Sequence, residues 1–291
     1  MIRQVLVLIL ALTGVSANAQ KTDGSVPKAD TTVFSEIVEI SRQRLWQELL
    51  TGDIVANVGK EFVGSPYVPF SLEEPGKEHL VVNLRGFDCV TLVENVLAIT
   101  RCIQWENTSF QSYRDMLRTI RYRGGVLDGY PSRLHYFSEW LDDNARKGFV
   151  RDITRDLGGV QLVKRIDWMT KHRQAYRQLR DSTTFARVAG VEKLLSESPR
   201  WYIASDSIQQ IESGLQNGDI VAAVSSKDGL DIAHTGIAVR MDDGSVRYLH
   251  APDVKGSVKI SDESLHEYMK KHPAFSGIIV ARPIGEKQNE K

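Results

Sequence analysis

The chain has 291 residues, of which 42% are hydrophobic and 25% are charged, a composition typical of globular proteins. Its 37 Lys and Arg residues balance its 37 Asp and Glu residues, which argues against a nucleic-acid-binding protein and against a polybasic membrane-surface protein. The sequence contains only two cysteines, Cys89 and Cys102, which excludes a disulfide-stapled scaffold and a multi-cysteine zinc domain.

The first residues, 1–19, have the three regions of a signal peptide. Arg3 supplies the charge, the apolar run at 5–15 is shorter than the roughly 20 residues of a membrane-spanning helix, and 17–19 is Ala-Asn-Ala, the small-residue pattern of a cleavage site. An uncleaved anchor is the alternative. We expect an exported, periplasmic protein with no integral membrane span after cleavage and a polar, disordered lead-in at 20–32.

Helical periodicity dominates the first part of the chain, and short β-type runs follow from Trp201. Helices are predicted at 34–50, 54–62, 89–102, 110–122, 131–145, 168–179, 184–195 and 261–271. Strands are predicted at 149–154, 218–224, 233–241, 246–251, 258–260 and 276–282. Helices followed by an antiparallel meander indicate an α+β fold. We expect one domain over 33–285, with a helical insertion at about 128–200 and a polar tail at 286–291.

The two cysteines fall in one predicted helix. Their separation of 13 residues corresponds to roughly 20 Å along a helix, whereas a disulfide needs Cα atoms within about 7 Å, so both thiols are predicted to be free. Cys102 fits a buried structural thiol. Cys89 follows Asp88, a good N-cap, and therefore lies in the first helical turn, where free N–H groups lower a thiol's pKa and can bind an oxyanion. The alternative is that Cys89 is an ordinary buried residue.

Two histidines lie at the ends of neighbouring predicted strands. His234 begins one strand and His250 ends the next, so a hairpin brings them within reach of each other. His234 can then act as base to Cys89 and as acid to a leaving amine, while His250 holds the other ring nitrogen. A catalytic zinc set of Cys, His and His is the alternative, but the sequence contains no H-E-x-x-H, so no metal or other cofactor is predicted.

Four of the remaining five histidines sit among charged residues and are interpreted as satisfied structural side chains: His79, His172, His266 and His272.

These residues belong to a longer pattern. Its parts are, in chain order, Gly64-Ser-Pro-Tyr67, Asp88-Cys89, Gly218-Asp-Ile220, His234-Thr-Gly-Ile237 and His250-Ala251. With this pattern the chain resembles the NlpC-type cell-wall cysteine peptidases of papain-like fold. It resembles more specifically their N-acetylmuramoyl-L-alanine amidase-like branch, formerly catalogued as a domain of unknown function. The segments on which this resemblance rests are NLRGFDCVTLVENVLA, RYRGGVLDGYPSRLHYFSEWL, GLDIAHTGIAV and YLHAP.

Two departures from the general superfamily favour the amidase-like branch. The superfamily usually has D-C-S-G, whereas here Cys89 is followed by Val-Thr-Leu. The distance from Tyr67 to Cys89 is also longer than usual, which weakens the transfer of a role to Tyr67.

The resemblance implies a papain-like fold with a helical N-terminal half, in which the nucleophile starts a helix packed on an antiparallel sheet. It implies hydrolysis of the amide between the lactyl group of N-acetylmuramic acid and L-alanine of the stem peptide. Cys89 would form the thioester, His234 would protonate the departing nitrogen, and His250 would orient His234. The alternatives are a γ-D-glutamyl-diamino acid endopeptidase and a non-catalytic cell-wall binding protein.

The segment 121–140 mixes aromatic residues with arginines, which can stack on sugars and clamp carboxylates. The alternative is that its aromatics are core and its arginines solvated. We expect peptidoglycan fragments (muropeptides) as partners, no nucleic acid, and a monomer. The candidate substrate contacts are Tyr67, Arg85, Arg133, His135 and Trp168.

Overall fold

The computed structural model of the chain describes residues 28–252 and 256–285. Among these residues the α-helices are α1 (Lys28–Gln43), α2 (Thr51–Glu61), α3 (Cys89–Gln104), α4 (Phe110–Arg121), α5 (Phe137–Arg146), α6 (Trp168–Lys171), α7 (Ser182–Glu197), α8 (Ile208–Ile211) and α9 (Leu265–Lys270). The strands are β1 (Val150–Asp152), β2 (Val160–Leu162), β3 (Arg200–Ala204), β4 (Ile220–Ser225), β5 (Ile232–Arg240), β6 (Val246–His250), β7 (Lys259–Ser264) and β8 (Phe275–Pro283). The predicted signal peptide at 1–19 and polar tail at 286–291 lie outside the described residues.

The described strands form one antiparallel sheet in the order β2-β3-β8-β4-β5-β6-β7, and β1 pairs with β8 outside this path. β4 to β7 make the predicted meander, each strand pairing with the next. β8 returns instead to the other side of β4, where Val221 faces Val280. The helices α2 and α3 pack on this sheet through contacts with β5. The predicted α+β class is therefore confirmed. Among the described residues, none of the helices has the length and apolar character needed to cross a bilayer.

Two predicted boundaries are wrong where the structure describes them. The disordered lead-in at 20–32 overlaps α1, which begins at Lys28, and the buried Asp30 carboxylate accepts a hydrogen bond of 3.0 Å from the Leu84 N–H. The insertion at about 128–200 is not wholly helical, because it contributes β1 and β2 to the sheet. Both errors arise because distant partners, not local sequence, order these segments.

Local patterns also fail to indicate β2 and β3. β2 is a three-residue strand whose side chains are largely exposed, so it carries no alternation of polar and apolar residues. β3 begins at Arg200, whose buried guanidinium donates a hydrogen bond of 2.6 Å to Asp142. The predicted helix at 168–179 ends at Lys171, and short 3-10 turns follow it.

Helix α3 is the centre of the core, since every residue from Thr91 to Ile103 is buried. A helix that is buried all round must find partners for its polar side chains. Glu94 accepts a hydrogen bond of 2.7 Å from Arg121, and both side chains are 2% exposed. Cys102 is buried and, like Cys89, is a free thiol, as predicted.

The glycine of the H-T-G-I segment lets β5 and β6 approach each other. A Cβ at Gly236 would lie 2.5 Å from the Leu249 carbonyl oxygen and 2.9 Å from the Cβ of His250. The Leu249 carbonyl belongs to the backbone of β6, so it cannot move away without separating the strands.

We expect Gly236→Ala to lower the free energy of unfolding by about 2 kcal/mol or more, because the added methyl group overpacks the strand pair. Gly190→Ala is the control: Gly190 is an exposed residue of α7 with open space around its Cα, so this change should stabilise the protein by about 0.5–1 kcal/mol. Urea unfolding measures both values. Equal effects of the two changes would contradict the close approach.

Candidate active site

A capping box fixes Cys89 as the first residue of α3. The Asp88 carboxylate accepts a hydrogen bond of 2.7 Å from the Thr91 N–H, and the Thr91 hydroxyl accepts one of 2.9 Å from the Asp88 N–H. Both partners lie within the D-C-V-T sequence, so the cap is a local consequence of these four residues. Thr91 stands where the superfamily's D-C-S-G has glycine, and its hydroxyl group completes the capping box. The predicted position of Cys89 at a helix start is confirmed.

The two histidines form a hydrogen-bonded pair. His234 is the third residue of β5 and His250 is the last residue of β6, and the pairing of Ile237 with Leu249 sets them side by side. Nε2 of His234 and Nδ1 of His250 are 2.8 Å apart. The predicted hairpin contact between the histidines is therefore confirmed. Because Nε2 of His234 is occupied, its Nδ1 is the ring nitrogen left for another partner.

The Cys89 thiol lies near β5. The N–H of Thr235, the residue after His234, approaches the thiol and stabilises its charged form, as do the N–H groups of Cys89 and Val90. Cys89 and His234 line the same pocket, whose volume is about 230 Å³. The structure therefore brings all three predicted catalytic residues together.

Burial keeps this group of side chains uncharged. It raises the pKa of the Cys89 thiol to about 12, with a further increase from the Asp88 carboxylate, and the surrounding N–H groups lower it less. Burial lowers the pKa of His234 to about 4, and His272 lowers it further. Burial and the neighbouring His234 lower the pKa of His250 to about 2. The expected low thiol pKa is wrong, because desolvation outweighs the helix start.

A zinc ion does not fit between the histidines. Two nitrogens bound to one tetrahedral zinc ion at about 2.0 Å lie about 3.3 Å apart. The 2.8 Å separation of Nε2 of His234 and Nδ1 of His250 is that of a direct hydrogen bond. In the part of the chain that the structure describes, no group of three or more His, Cys, Asp or Glu side chains is placed to hold a metal ion.

The wall of the pocket is aromatic and acidic. Its charged lining residues are Glu73 and Asp231, and no Lys or Arg of the described residues lines it. Burial raises the pKa of Asp231, and N–H donors, the Ser138 N–H first, lower it. The aromatic side chains in the wall are Tyr130, His135, Tyr136, Phe137, Trp168 and Tyr176.

Two of the five predicted substrate contacts line this pocket, namely His135 and Trp168. Arg133 does not, and its predicted clamp on substrate is contradicted, because it is 4% exposed and its guanidinium is bound by carboxylates of the chain itself. Arg85 is not a lining residue either and pairs with Asp30 at 3.2 Å.

Tyr67 is also absent from the pocket wall, and its backbone instead bridges to Phe87. The sequence interpretation missed Glu73 and Asp231. Asp231 lies three residues before His234 within the GLDIAH segment, which is a signal that could have found it. Glu73 lies in a loop without any comparable pattern.

The chain can now be compared with known proteins. The model of the AmiA-like family, N-acetylmuramoyl-L-alanine amidase-like, matches residues 57–278, well over half of the chain. The chain belongs to this family. The predicted amidase-like branch is therefore confirmed, whereas the link to the NlpC-type superfamily and its papain-like fold stays a prediction. Family membership supports a peptidoglycan amidase-like hydrolase and an extracytoplasmic location.

Solved structures agree with this assignment. An N-acetylmuramoyl-L-alanine amidase from Bacteroides uniformis is 34% identical, with 80% of this chain and 99% of that chain covered and a TM-score of 0.74. A protein from Bacteroides fragilis, provisionally named a xylanase, is also 34% identical, with coverage of 78% and 99% and a TM-score of 0.72. A Legionella pneumophila protein shares the fold at 20% identity, with coverage of 89% and 97% and a TM-score of 0.65. No curated protein matches the chain.

The charge state of Cys89 can be tested by alkylation. We expect the rate of reaction with iodoacetamide to rise about tenfold per pH unit between about pH 6 and pH 9, because only the thiolate reacts and the thiol's pKa is raised to about 12. The Cys102→Ala variant removes the other thiol, so that mass spectrometry reports Cys89 alone. A rate that is constant from acidic pH upward would show a thiolate–imidazolium pair instead.

The acid limit of activity follows from His234. A base works only when it is unprotonated, so we expect hydrolysis to persist to about pH 5 and to decline as the pH falls through the pKa of about 4. Phe275 stacks on both histidine rings. Its ring centroid is 6.2 Å from that of His234 and 5.3 Å from that of His272. His272→Gln removes a positive charge that opposes protonation of His234, so the acid limb of kcat/KM should move to higher pH. An unmoved limb would contradict this coupling.

Proposed function

We propose that the protein hydrolyses the amide bond between the lactyl group of N-acetylmuramic acid and L-alanine, with Cys89 as nucleophile. The observation that carries the proposal is the contact of the Cys89 thiol with the Thr235 N–H, beside the hydrogen-bonded histidines, in a member of an amidase-like family. The pairing of a thiol, a base and a residue that orients the base is the arrangement that nucleophilic catalysis requires.

The pKa values indicate when the proton moves. Because burial raises the pKa of the thiol and lowers that of His234, proton transfer before attack is unfavourable. The thiol proton therefore passes to Nδ1 of His234 as the sulfur bonds to the lactyl carbonyl carbon. The carbonyl oxygen becomes an oxyanion, which the backbone N–H of Cys89 at the start of α3 can bind.

The low pKa of His234 favours the next step. Once protonated, His234 is a strong acid, and it gives its Nδ1 proton to the L-alanine nitrogen as the C–N bond breaks. A thioester on Cys89 and a free peptide amine result. His234 then takes a proton from water, whose oxygen attacks the thioester carbonyl carbon, and the thiol leaves with that proton. One water is consumed in each turnover.

His250 is a positioning residue in this scheme. When His234 accepts a proton at Nδ1, its Nε2–H donates to Nδ1 of His250, which fixes the tautomer of both rings. The second nitrogen of His250, Nε2, is buried and has no hydrogen-bond partner among the described residues. The stacked Tyr248 ring, with its centroid at 5.0 Å, holds the His250 ring in place.

The reaction can be read from product masses. Wild type incubated with purified muropeptides should release the intact stem peptide beginning with L-alanine, together with the sugar fragment. Cys89→Ala should abolish release, and His234→Ala should reduce kcat by roughly 10²–10⁴, because it removes the acid and base. The matched control is Cys102→Ala, at the other cysteine of the same helix, which should retain activity.

Four outcomes would contradict the proposal. Release by Cys89→Ala would exclude the nucleophile, and turnover that a chelator stops would exclude a thiol mechanism. Fragments cut after γ-D-glutamate would identify an endopeptidase, and binding without any cleavage in the wild type would identify a wall-binding protein. Thermal unfolding of each variant separates loss of catalysis from loss of fold.

A further inference from the structure

The mechanism above does not use the acidic wall of the pocket. Glu73, in the loop before α3, and Asp231, at the start of the segment that leads into β5, both line it with Cys89. The muramoyl–alanine amide and the rival γ-D-glutamyl bond differ in the acyl group that would form the thioester with Cys89. The muramoyl half is uncharged and rich in hydroxyl groups, whereas a γ-D-glutamyl half carries a free α-carboxylate beside the bond. The charge of the wall therefore bears on which bond the enzyme accepts.

Glu73 is held in the wall by a buried arginine. Arg133 donates a hydrogen bond of 2.6 Å to Oε1 of Glu73 and another of 2.8 Å to the Leu72 carbonyl oxygen. Glu78 approaches Nε of the same guanidinium at 3.4 Å, so two carboxylates share one cation. The Arg133 side chain is 5% exposed, so it supports the loop from the protein interior. The Glu73 side chain is 32% exposed, so its carboxylate remains partly accessible.

One oxygen of Glu73 stays available to a ligand. Oε2 has only a long contact of 3.4 Å with the Tyr130 hydroxyl, while Oε1 is bound to Arg133. Asp231 is also compensated, because its Oδ2 accepts a hydrogen bond of 2.8 Å from the Ser138 N–H in the first turn of α5. Such carboxylates accept hydrogen bonds from hydroxyl and N–H groups but offer little free charge to a cation.

An anionic group would meet carboxylates and no directly lining cation in this pocket. No guanidinium or ammonium of the described residues lines it, although Lys227 Nζ lies 5.8 Å from the centroid of the Trp168 ring, and a carboxylate that loses water without gaining a cation is strongly disfavoured. Trp168 and Tyr176 are partly exposed and offer apolar surface on which a sugar ring can stack, whereas Tyr130 is covered by Arg133 and His135. The pocket therefore suits an uncharged, hydroxyl-bearing group.

We propose that Glu73, held in place by Arg133, is a specificity-determining residue that accepts hydrogen bonds from the uncharged muramoyl half of the substrate and excludes acyl groups that carry a carboxylate. The inference rests on the proposed function, which places the lactyl carbonyl at Cys89. It also assigns the stem peptide, with its carboxylates, to the side of Cys89 away from this pocket.

The test compares two substrates that differ by one carboxylate: muramoyl-L-alanine with an N-acetyl group and the same compound with an N-succinyl group. Wild type should favour the N-acetyl substrate by about tenfold or more in kcat/KM. Glu73→Gln removes a negative charge from the pocket wall, so this preference should fall by about tenfold. A merely structural role would lower both values equally and leave their ratio unchanged.

Glu78→Gln is the matched control, because it removes the other carboxylate on Arg133 but does not line the pocket. It should lower stability and leave the substrate ratio as in wild type. Where Glu73→Gln does not fold, Glu73→Ala also removes the charge, and the preference should fall in the same way. Glu73→Asp keeps the charge and should retain the preference.

The outcomes separate the two proposals. If wild type does not cleave the N-acetyl substrate, the proposed function is wrong. If wild type cleaves it but Glu73→Gln leaves the ratio unchanged, only the role of Glu73 is overturned. Faster cleavage by wild type of a free stem peptide with an L-alanine ammonium group would overturn both proposals, because that peptide contains no muramoyl amide.

Discussion

The contact between the Cys89 thiol and the Thr235 N–H joins the two halves of the molecule, and the candidate site depends on it. It places the start of α3 against β5, so that a residue from the helical part meets the histidines of the sheet. The capping box fixes Cys89 at the start of α3, and the absence of a side chain at Gly236 lets β5 pair closely with β6. The closeness of α3 to β5 removes water from the thiol, which accounts for its raised pKa.

Desolvation sets the chemistry of the site as well as its geometry. A thiolate–imidazolium pair is costly here, because burial raises the pKa of the thiol and lowers that of His234. In the proposed mechanism, charge develops only as the sulfur attacks the substrate carbonyl. Burial also raises the pKa of Glu94 in the core of α3, and its pairing with Arg121 opposes this increase.

A feature could be predicted from the sequence when the residues that determine it lie close together in the chain. The helix start at Cys89 and the pairing of His234 with His250 follow from caps and hairpins, which are local. The role of Arg133 depends on Glu73, 60 residues away, so the sequence alone does not distinguish a clamp on substrate from a support for a loop. The prediction of a low thiol pKa is wrong for the same reason, because the helix start is a local feature whereas burial depends on the tertiary structure.

The position of β8 has a consequence for how the molecule assembles. This last described strand lies inside the sheet, where it pairs with β1, β3 and β4, and its first residue, Phe275, stacks on the His234 ring. These pairings join residues far apart in the chain, so closing the sheet carries a large entropy cost and is expected to be slow. A chain that stops before Phe275 leaves β1 without a partner, one side of β3 and of β4 unpaired, and the His234 ring without its stacking partner. The sheet is therefore completed only when the last of the described strands has been made.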